Sequence, residues 1–340
     1  MMVLGLFADP GGTNLMTDAR YDVLGMGNAM VDVLSHADDA FLEGLGLAKG
    51  TMHLIDEDRA VDIYASMGPG IEMSGGSAGN TMAGIASLGG AGAFIGKVRD
   101  DQLGDVFAHD LRSIGVSFEV PRAVEGPATG RCLIFVSPDA QRTMNTYLGA
   151  GRGLSPADID PEYVAEAKVV YVEGYLWDTD AAKAAVLKAF DAAHAAGRLT
   201  SLTLSDPFCV DRFRDEFRDL VTNHLDIVFA NEVEIMSLYQ VDTFEAALEQ
   251  ARGEGKVMVL TRSERGSVVV RGAETYSVEA EPVARVVDTT GAGDLYAAGF
   301  LYGFTRGLPL GECARLGGVA AAEVISHVGA RPGVLLSTLV

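Results

Sequence analysis

Short, wholly apolar runs alternate along this chain with stretches in which apolar residues recur every three or four positions. YDVLGMG (21–27) reads as a buried strand, and so do AFIGKV (93–98), KVVYVEG, SLTLS, DIVFANE and KVMVLT. Helical spacing appears at 56–67, in SAGNTMAGIASLG (77–89), in DQLGDVFAHDLRSIG with Gly115 as a C-cap, and near 179–196, 211–222 and 243–253. Apolar strands alternating with helices predict an α/β fold, with a mostly parallel central sheet flanked by helices on both faces.

Two regions break the alternation. CLIFVS (132–137) and RTMNTYLGAG (142–151) flank SPDAQ, whose Pro-Asp predicts a turn, so the pair reads as a hairpin without a helix. Residues 31–55 show no clear helix either. Together, 31–55 and 119–150 are expected to form a small, discontinuous β-sheet lid on a domain spanning 21–340. Residues 1–20 read as a disordered leader: they lack a basic segment, and VLGLF is too short for a signal peptide or an anchor. Met16 is a candidate natural start.

Composition narrows the function. With 47 acidic against 26 basic residues the formal net charge is -21. Nucleic acid and anionic membranes both demand basic patches, so neither is an expected partner. The acidity fits a soluble cytoplasmic protein, and an anionic ligand would need a locally built positive field. The three cysteines, Cys132, Cys209 and Cys313, form no metal or disulfide pattern.

That local field is suggested by VVDTTGAGDLYAAGFLYG (286–303). Gly291 and Gly293 bracket Ala292 where an approach strand ends and helical spacing begins. Glycines at a helix N-terminus let backbone N–H groups come close to an anion, with a phosphate as the natural occupant. Asp294, in the first turn, is either a carboxylate complementing the helix dipole or a general base for an attacking hydroxyl.

DTTGAGD followed by a small-residue helix resembles the C-terminal signature of the ribokinase-like (PfkB) sugar and nucleoside kinases. MSGGSAGNTMAGIASLGG (73–90) resembles the N-terminal signature of that family. NEVE (231–234) matches its Asn-x-x-Glu motif, and TRSERGSVVV (261–270) resembles its nucleotide-binding strand–turn–strand, with Ser263 where Gly is usual. The four motifs stand in the family's order from Tyr21 to the C-terminus.

The resemblance implies a ribokinase-like kinase that moves the γ-phosphate of ATP to a primary hydroxyl. Asp294 would be the base, with Gly291, Ala292 and Gly293 as the anion hole and Arg142 swinging in with the lid to meet transferred phosphate. As a solvated strand charge Arg142 would have no such role. Asn231 and Glu234 would organise Mg²⁺ through waters, although the same two residues could simply begin a helix. Asn231, Thr261, Arg262, Gly266 and Thr290 would lie along the nucleotide. Asp288 and nearby carbonyls could ligate a monovalent cation such as K⁺. Asn28, Asp32, Gly75, Gly76, Ser77 and Asn80 would hold the acceptor, since Asp and Asn can bond the adjacent hydroxyls of a ribose.

GNAMVD and SLTLSDPF resemble stretches of the adenosine kinase subgroup, and YVEGYLW places aromatics where that subgroup packs a base. Tyr175 is the candidate for stacking; Trp177 is a core or interface aromatic on the alternative reading, and His53 lies in the region facing the base. The best acceptor is therefore adenosine, giving AMP, with a family sugar kinase (ribose, fructose or ketodeoxygluconate) as the alternative. Thr203 replaces the subgroup's usual Asn. The sequence leaves a monomer and a homodimer equally open. A nicotinamide-dependent oxidoreductase is excluded because GMGNAMVD lacks the third glycine of the dinucleotide fingerprint. A noncatalytic module on the same fold is disfavoured because Asp294 and the glycine loop are intact.

Overall fold

The structure is a computed structural model that describes residues 19–139 and 141–340. The leader expectation thus falls almost wholly outside the described residues, as does Met16. The chain runs β1 (Tyr21–Met26), β2 (Met30–His36), α1 (Asp39–Gly44), β3 (Met52–Leu54), α2 (Glu57–Ser66), β4 (Gly70–Gly75), α3 (Ser77–Ser87), β5 (Gly92–Ile95), α4 (Gln102–Ser113) and β6 (Ser117–Phe118). It continues through β7 (Gly130–Val136), β8 (Arg142–Tyr147), α5 (Pro161–Ala165), β9 (Ala167–Glu173), α6 (Asp180–Ala195), β10 (Leu199–Thr203), α7 (Pro207–Asn223), β11 (Ile227–Asn231) and α8 (Glu232–Tyr239). It closes with α9 (Phe244–Gly253), β12 (Val257–Thr261), β13 (Ser267–Arg271), β14 (Glu274–Val278), α10 (Ala292–Phe304) and α11 (Leu310–Val324).

Nine strands form the central sheet in the order β14-β13-β12-β11-β10-β9-β1-β5-β6, parallel except at β12-β13-β14. Its strands alternate between two cores. Leu24, Val170, Leu202 and Met258 pack on one side with α6 to α9, while Val23, Val169, Ile227 and Val259 pack on the other with α3, α10 and α11. Burial on both faces explains why these strands read as continuous apolar runs.

The second sheet has the order β3-β8-β7-β2-β4. Both non-alternating regions contribute strands to it, and three features differ from the sequence reading. β4, part of the glycine signature, is one edge of this sheet and pairs antiparallel with β2. Asp39–Gly44 is a short helix, capped by the Asp38 side chain accepting from Phe41 N. Residues 119–129 are connecting chain, and β6 just before them joins the central sheet. Val31, Val33, Leu133 and Phe135 face the helices, while Met30, Leu34, Cys132, Ile134, Val136 and Met144 cluster on the opposite face. Among the described residues, no helix is long and apolar enough to cross a membrane.

Candidate active site

The site forms where β1, β9, β10 and β11 end beneath the second sheet. Gly291 starts α10 with φ 79°, in the left-handed region, and offers no side-chain cap. A Cβ there would lie 2.8 Å from the Ala330 Cβ, so only glycine fits. The first-turn N–H groups of α10 are thereby left without a side-chain acceptor, the condition for an anion site.

Asp294, half-buried in that turn, is held from α3. Ser77 Oγ donates to its Oδ1 at 2.7 Å and Asn80 Nδ2 to its Oδ2 at 3.0 Å. Burial pushes its pKa above the usual carboxylate range, while those two hydrogen bonds and the Arg331 charge pull it back. Asn80 Oδ1 is buried without a partner, leaving an acceptor for an incoming hydroxyl. Ser77 and Asn80, expected on the acceptor, thus also hold the Asp294 carboxylate.

Asp32 extends from β2 against Gly75, where a Cβ would lie 2.3 Å from its Oδ1. Burial raises its pKa to about 6, with the nearby Asp294 charge adding to the rise and Arg331 and Arg142 opposing it. Gly76 has φ 85° and a Cβ there would meet the Asn28 carbonyl at 2.3 Å, so the acceptor loop turns tightly over Asn28.

Glu173, at the end of β9, was not singled out from the sequence. Its Oε1 accepts from Asn28 N and Asn28 Nδ2, both at 2.8 Å, and its Oε2 from Ala78 N at 2.9 Å. Gly76 cannot supply a capping side chain, so this carboxylate serves as the N-cap of α3 from another element. It is 1% exposed, and burial raises its pKa to about 7 against the pull of those N–H groups. The partners lie 145 and 95 residues away, beyond any local motif.

Arg142 does reach this region. Its Nη2 lies 2.6 Å from Asp288 Oδ2, a buried ion pair, not a solvated strand charge. Asp288 also accepts from Thr290 N and Oγ1 through Oδ1, and from Gly329 N through Oδ2. The carboxylate expected for a monovalent cation is therefore already neutralised by a guanidinium.

Asn231 and Glu234 form a reciprocal capping box at the start of α8: Asn231 N donates to Glu234 Oε2 at 2.9 Å, and Glu234 N donates to Asn231 Oδ1 at 2.9 Å. The helix-start reading is correct as geometry. Burial, with the Asp206 charge nearby, raises Glu234 to about 7. Among the described residues no cluster of three His, Cys, Asp or Glu side chains could hold a metal directly. A hydrated Mg²⁺ met through waters is the arrangement these residues fit.

Thr261 ends β12. Gly266, at φ 74°, makes the turn into β13. The Arg262 guanidinium is committed elsewhere, to Glu232 Oε1 at 3.3 Å and over the Phe244 ring at 3.9 Å. Tyr175 lines a small cleft with Asn28, Leu148, Gly151 and Leu176 and keeps 37% of its surface exposed. Trp177 belongs to the core, edge-on to Phe217 with its Nε1 donating to Glu216. His53 is exposed on β3 and bonds Thr51 Oγ1 at 2.8 Å.

Comparison with known proteins agrees with this geometry. The pfkB family carbohydrate kinase profile matches residues 71–336. The crystal structure of adenosine kinase from Sinorhizobium meliloti superposes with a TM-score of 0.87 at 54% identity, covering 94% of this chain and 98% of that one. A probable sugar kinase protein from Rhizobium etli CFN 42 superposes at 0.88 with 51% identity, covering 94% and 98%. Adenosine kinase 1 of Arabidopsis thaliana is 26% identical over 340 residues, 92% of this chain and 97% of that protein. With its ordered motifs, two-sheet architecture and glycine-started helix carrying Asp294, the chain belongs to the pfkB family of carbohydrate kinases and is a phosphotransferase.

Proposed function

We propose that the protein phosphorylates a nucleoside at its primary hydroxyl from ATP, with adenosine as the acceptor and AMP as the product. The observation that carries this reading is the tie between acceptor loop and base: Ser77 and Asn80 both donate to Asp294 at the mouth of the glycine helix. Asp294 accepts the proton of the hydroxyl as its oxygen attacks the γ-phosphorus, and ADP leaves on the opposite side. The N–H groups around Gly291, Ala292 and Gly293 hold the charge that builds on the transferring group. Asp32, Asn80 Oδ1 and Asn28 Oδ1 bond the sugar hydroxyls, because the Asn28 amide nitrogen is already given to Glu173. Tyr175 offers its exposed ring to the base.

Asn231 and Glu234 would hold the water shell of Mg²⁺, which when bound neutralises phosphate charge. Thr261, Gly266 and Thr290 border the nucleotide through backbone and hydroxyl groups, with the Arg262 side chain supporting the turn. The second sheet acts as a lid that shuts out water, so that hydroxyl and not solvent takes the phosphate. Adenosine is favoured over a free sugar by the similarity to the Sinorhizobium meliloti adenosine kinase along nearly the whole chain.

The test is ADP release from ATP and Mg²⁺ with adenosine, guanosine, inosine, ribose, fructose or ketodeoxygluconate. Turnover with adenosine well above the others is the expected result. Turnover with a free sugar alone would keep the fold and the base and overturn the nucleoside. Asp294→Asn should lose roughly two to four decades of turnover with ATP binding preserved, and near-normal turnover would reject the base.

A further inference from the structure

The segment after α11 meets the site at three consecutive residues. Gly329 N donates to Asp288 Oδ2 at 2.9 Å. Ala330 packs on the α-carbon of Gly291. Arg331 Nη2 then donates to the Ser74 carbonyl at 2.7 Å and to Ser74 Oγ at 3.0 Å. Ser74 lies on β4, one residue before the Gly75–Gly76 turn, and its outward edge is closed from the other side by Asp110 Oδ2, which accepts Ser74 N at 2.8 Å. One short stretch of chain therefore touches the anion-hole approach, the glycine that starts α10 and the strand that leads into the acceptor loop.

We propose that Arg331 is a positioning residue for phosphoryl transfer, locking the acceptor loop of β4 to the anion-hole segment and placing its guanidinium charge beside Asp32 and Asp294. The proposal rests on the reading of Asp294 as the base. Packing alone does not account for the arrangement. Arg331 Nε is buried with no hydrogen-bond partner, as Arg262 Nε is, but here the guanidinium is aimed at the strand that leads into the acceptor loop and faces Asp32 and Asp294. The other guanidinium facing these carboxylates, Arg142, already has Asp288 as its partner.

Electrostatics agrees with the geometry. Arg331 pulls Asp32 and Asp294 down; burial lowers its own pKa to about 10, with the charges of Asp32, Asp110 and Asp294 opposing that fall. The groups facing Asp294 are Ser77 and Asn80 from α3, Asp32 from β2, Tyr171 and Glu173 from β9, Tyr175 beyond β9, and Arg331. Two of these are carboxylates, so removing the arginine leaves Asp294 among like charges. Its pKa then rises further, and the fraction ionised at a given acidic pH falls.

The experiment compares wild type, R331M and R331K by acceptor-dependent ADP release from pH 5 to 9, with thermal unfolding as a check that each is folded. R331M should lose about tenfold to a hundredfold in kcat, the scale of a slightly misplaced reacting group, with KM for ATP nearly unchanged. Its acidic limb should move to higher pH. R331K keeps the charge but not the reach of Nη2 to Ser74, so its limb should stay near wild type while kcat falls less. A wild-type kcat and pH profile in R331M would overturn the proposal. A limb displaced equally in R331K and R331M would overturn the role of the charge. If R331M does not fold, R331K alone decides: kcat at the wild-type level would reject the lock. Failure of the base reading is separate, because it would show as an active Asp294→Asn whatever stands at position 331.

Discussion

Arg142 Nη2 and Asp288 Oδ2, 2.6 Å apart with less than a tenth of either side chain exposed, bolt the second sheet to the glycine-helix approach. Each charge is buried, so removing one partner strands the other. Arg142→Met should destabilise the protein by about 3 kcal/mol, somewhat relieved because Thr290 and Gly329 still donate to Asp288. Adding Asp288→Asn should then cost less than it does alone, with a coupling of about 1–3 kcal/mol in denaturant unfolding. On the reading of Arg142 as the group that meets transferred phosphate, turnover should stay low in the double variant. Additive losses of stability would show that the pair is not coupled.

The central sheet was legible because its strands are buried on both faces and interrupted by helices of ordinary length. The second sheet was less so. GIEMSG, which is β4, alternates weakly and merges with the glycine signature, so its pairing with β2 is visible only once Asp32 faces Met73 across the ladder. The motif residues Asp294, Asn80 and Asn28 do converge. Glu173 escaped notice because a single carboxylate at a strand end looks like a solvated terminus; its burial comes from partners supplied by β1 and α3. Arg331 was hidden for the same reason, and Arg262 was misjudged because nothing local announces Glu232 and Phe244 as its neighbours.

Ser77 is the more easily tested of the two donors to Asp294. A hydrogen bond to a charged group is worth about 1.5–3 kcal/mol, and here it favours the ionised form of a base whose pKa burial has raised. Ser77→Ala should therefore lower kcat by roughly tenfold near neutrality and shift the acidic limb to higher pH. The loss should be larger at pH 6 than at pH 8. A pH–rate profile parallel to wild type would mean that Ser77 serves the acceptor alone.

Glu173 makes the ligand-free protein sensitive to pH in an unusual direction. Its folded pKa of about 7 lies above the 4.5 of a free glutamate, so the folded state holds a proton that the unfolded state has released. Its contribution to stability is thus greatest below pH 4.5 and is lost as pH rises through 7. Asp32, raised to about 6, acts in the same sense. The unfolding free energy should fall between pH 5 and pH 7.5, with Glu173 contributing on the order of 3 kcal/mol at most and Asp32 and Glu234 adding to it. Glu173→Gln carries no titrating proton and should make that slope shallower, leaving the part due to Asp32 and Glu234. The same slope in the variant would place the titration elsewhere.

Glu234 separates helix capping from metal binding. Glutamine can take the glutamate's place in a capping box, so Glu234→Gln can still accept from Asn231 N while removing the charge and the second acceptor oxygen, which takes Asn231 Nδ2. The carboxyl is 5% exposed and raised to about 7, which means burial disfavours its ionised form in the ligand-free protein. That is poor economy for a cap and sensible for a group that must face a hydrated dication. The variant should unfold at or slightly above the wild-type midpoint, since a costly buried charge is gone. Its Mg²⁺ requirement, read as the half-activating concentration at fixed ATP, should rise roughly tenfold, the lower end of the effect seen when outer partners of a metal are removed. A variant that is equally stable and needs no more Mg²⁺ than wild type would reduce Asn231 and Glu234 to a helix start. A higher Mg²⁺ requirement without loss of stability would assign the charge of Glu234 to the ion, because a cap that matters for folding would show itself in the unfolding midpoint.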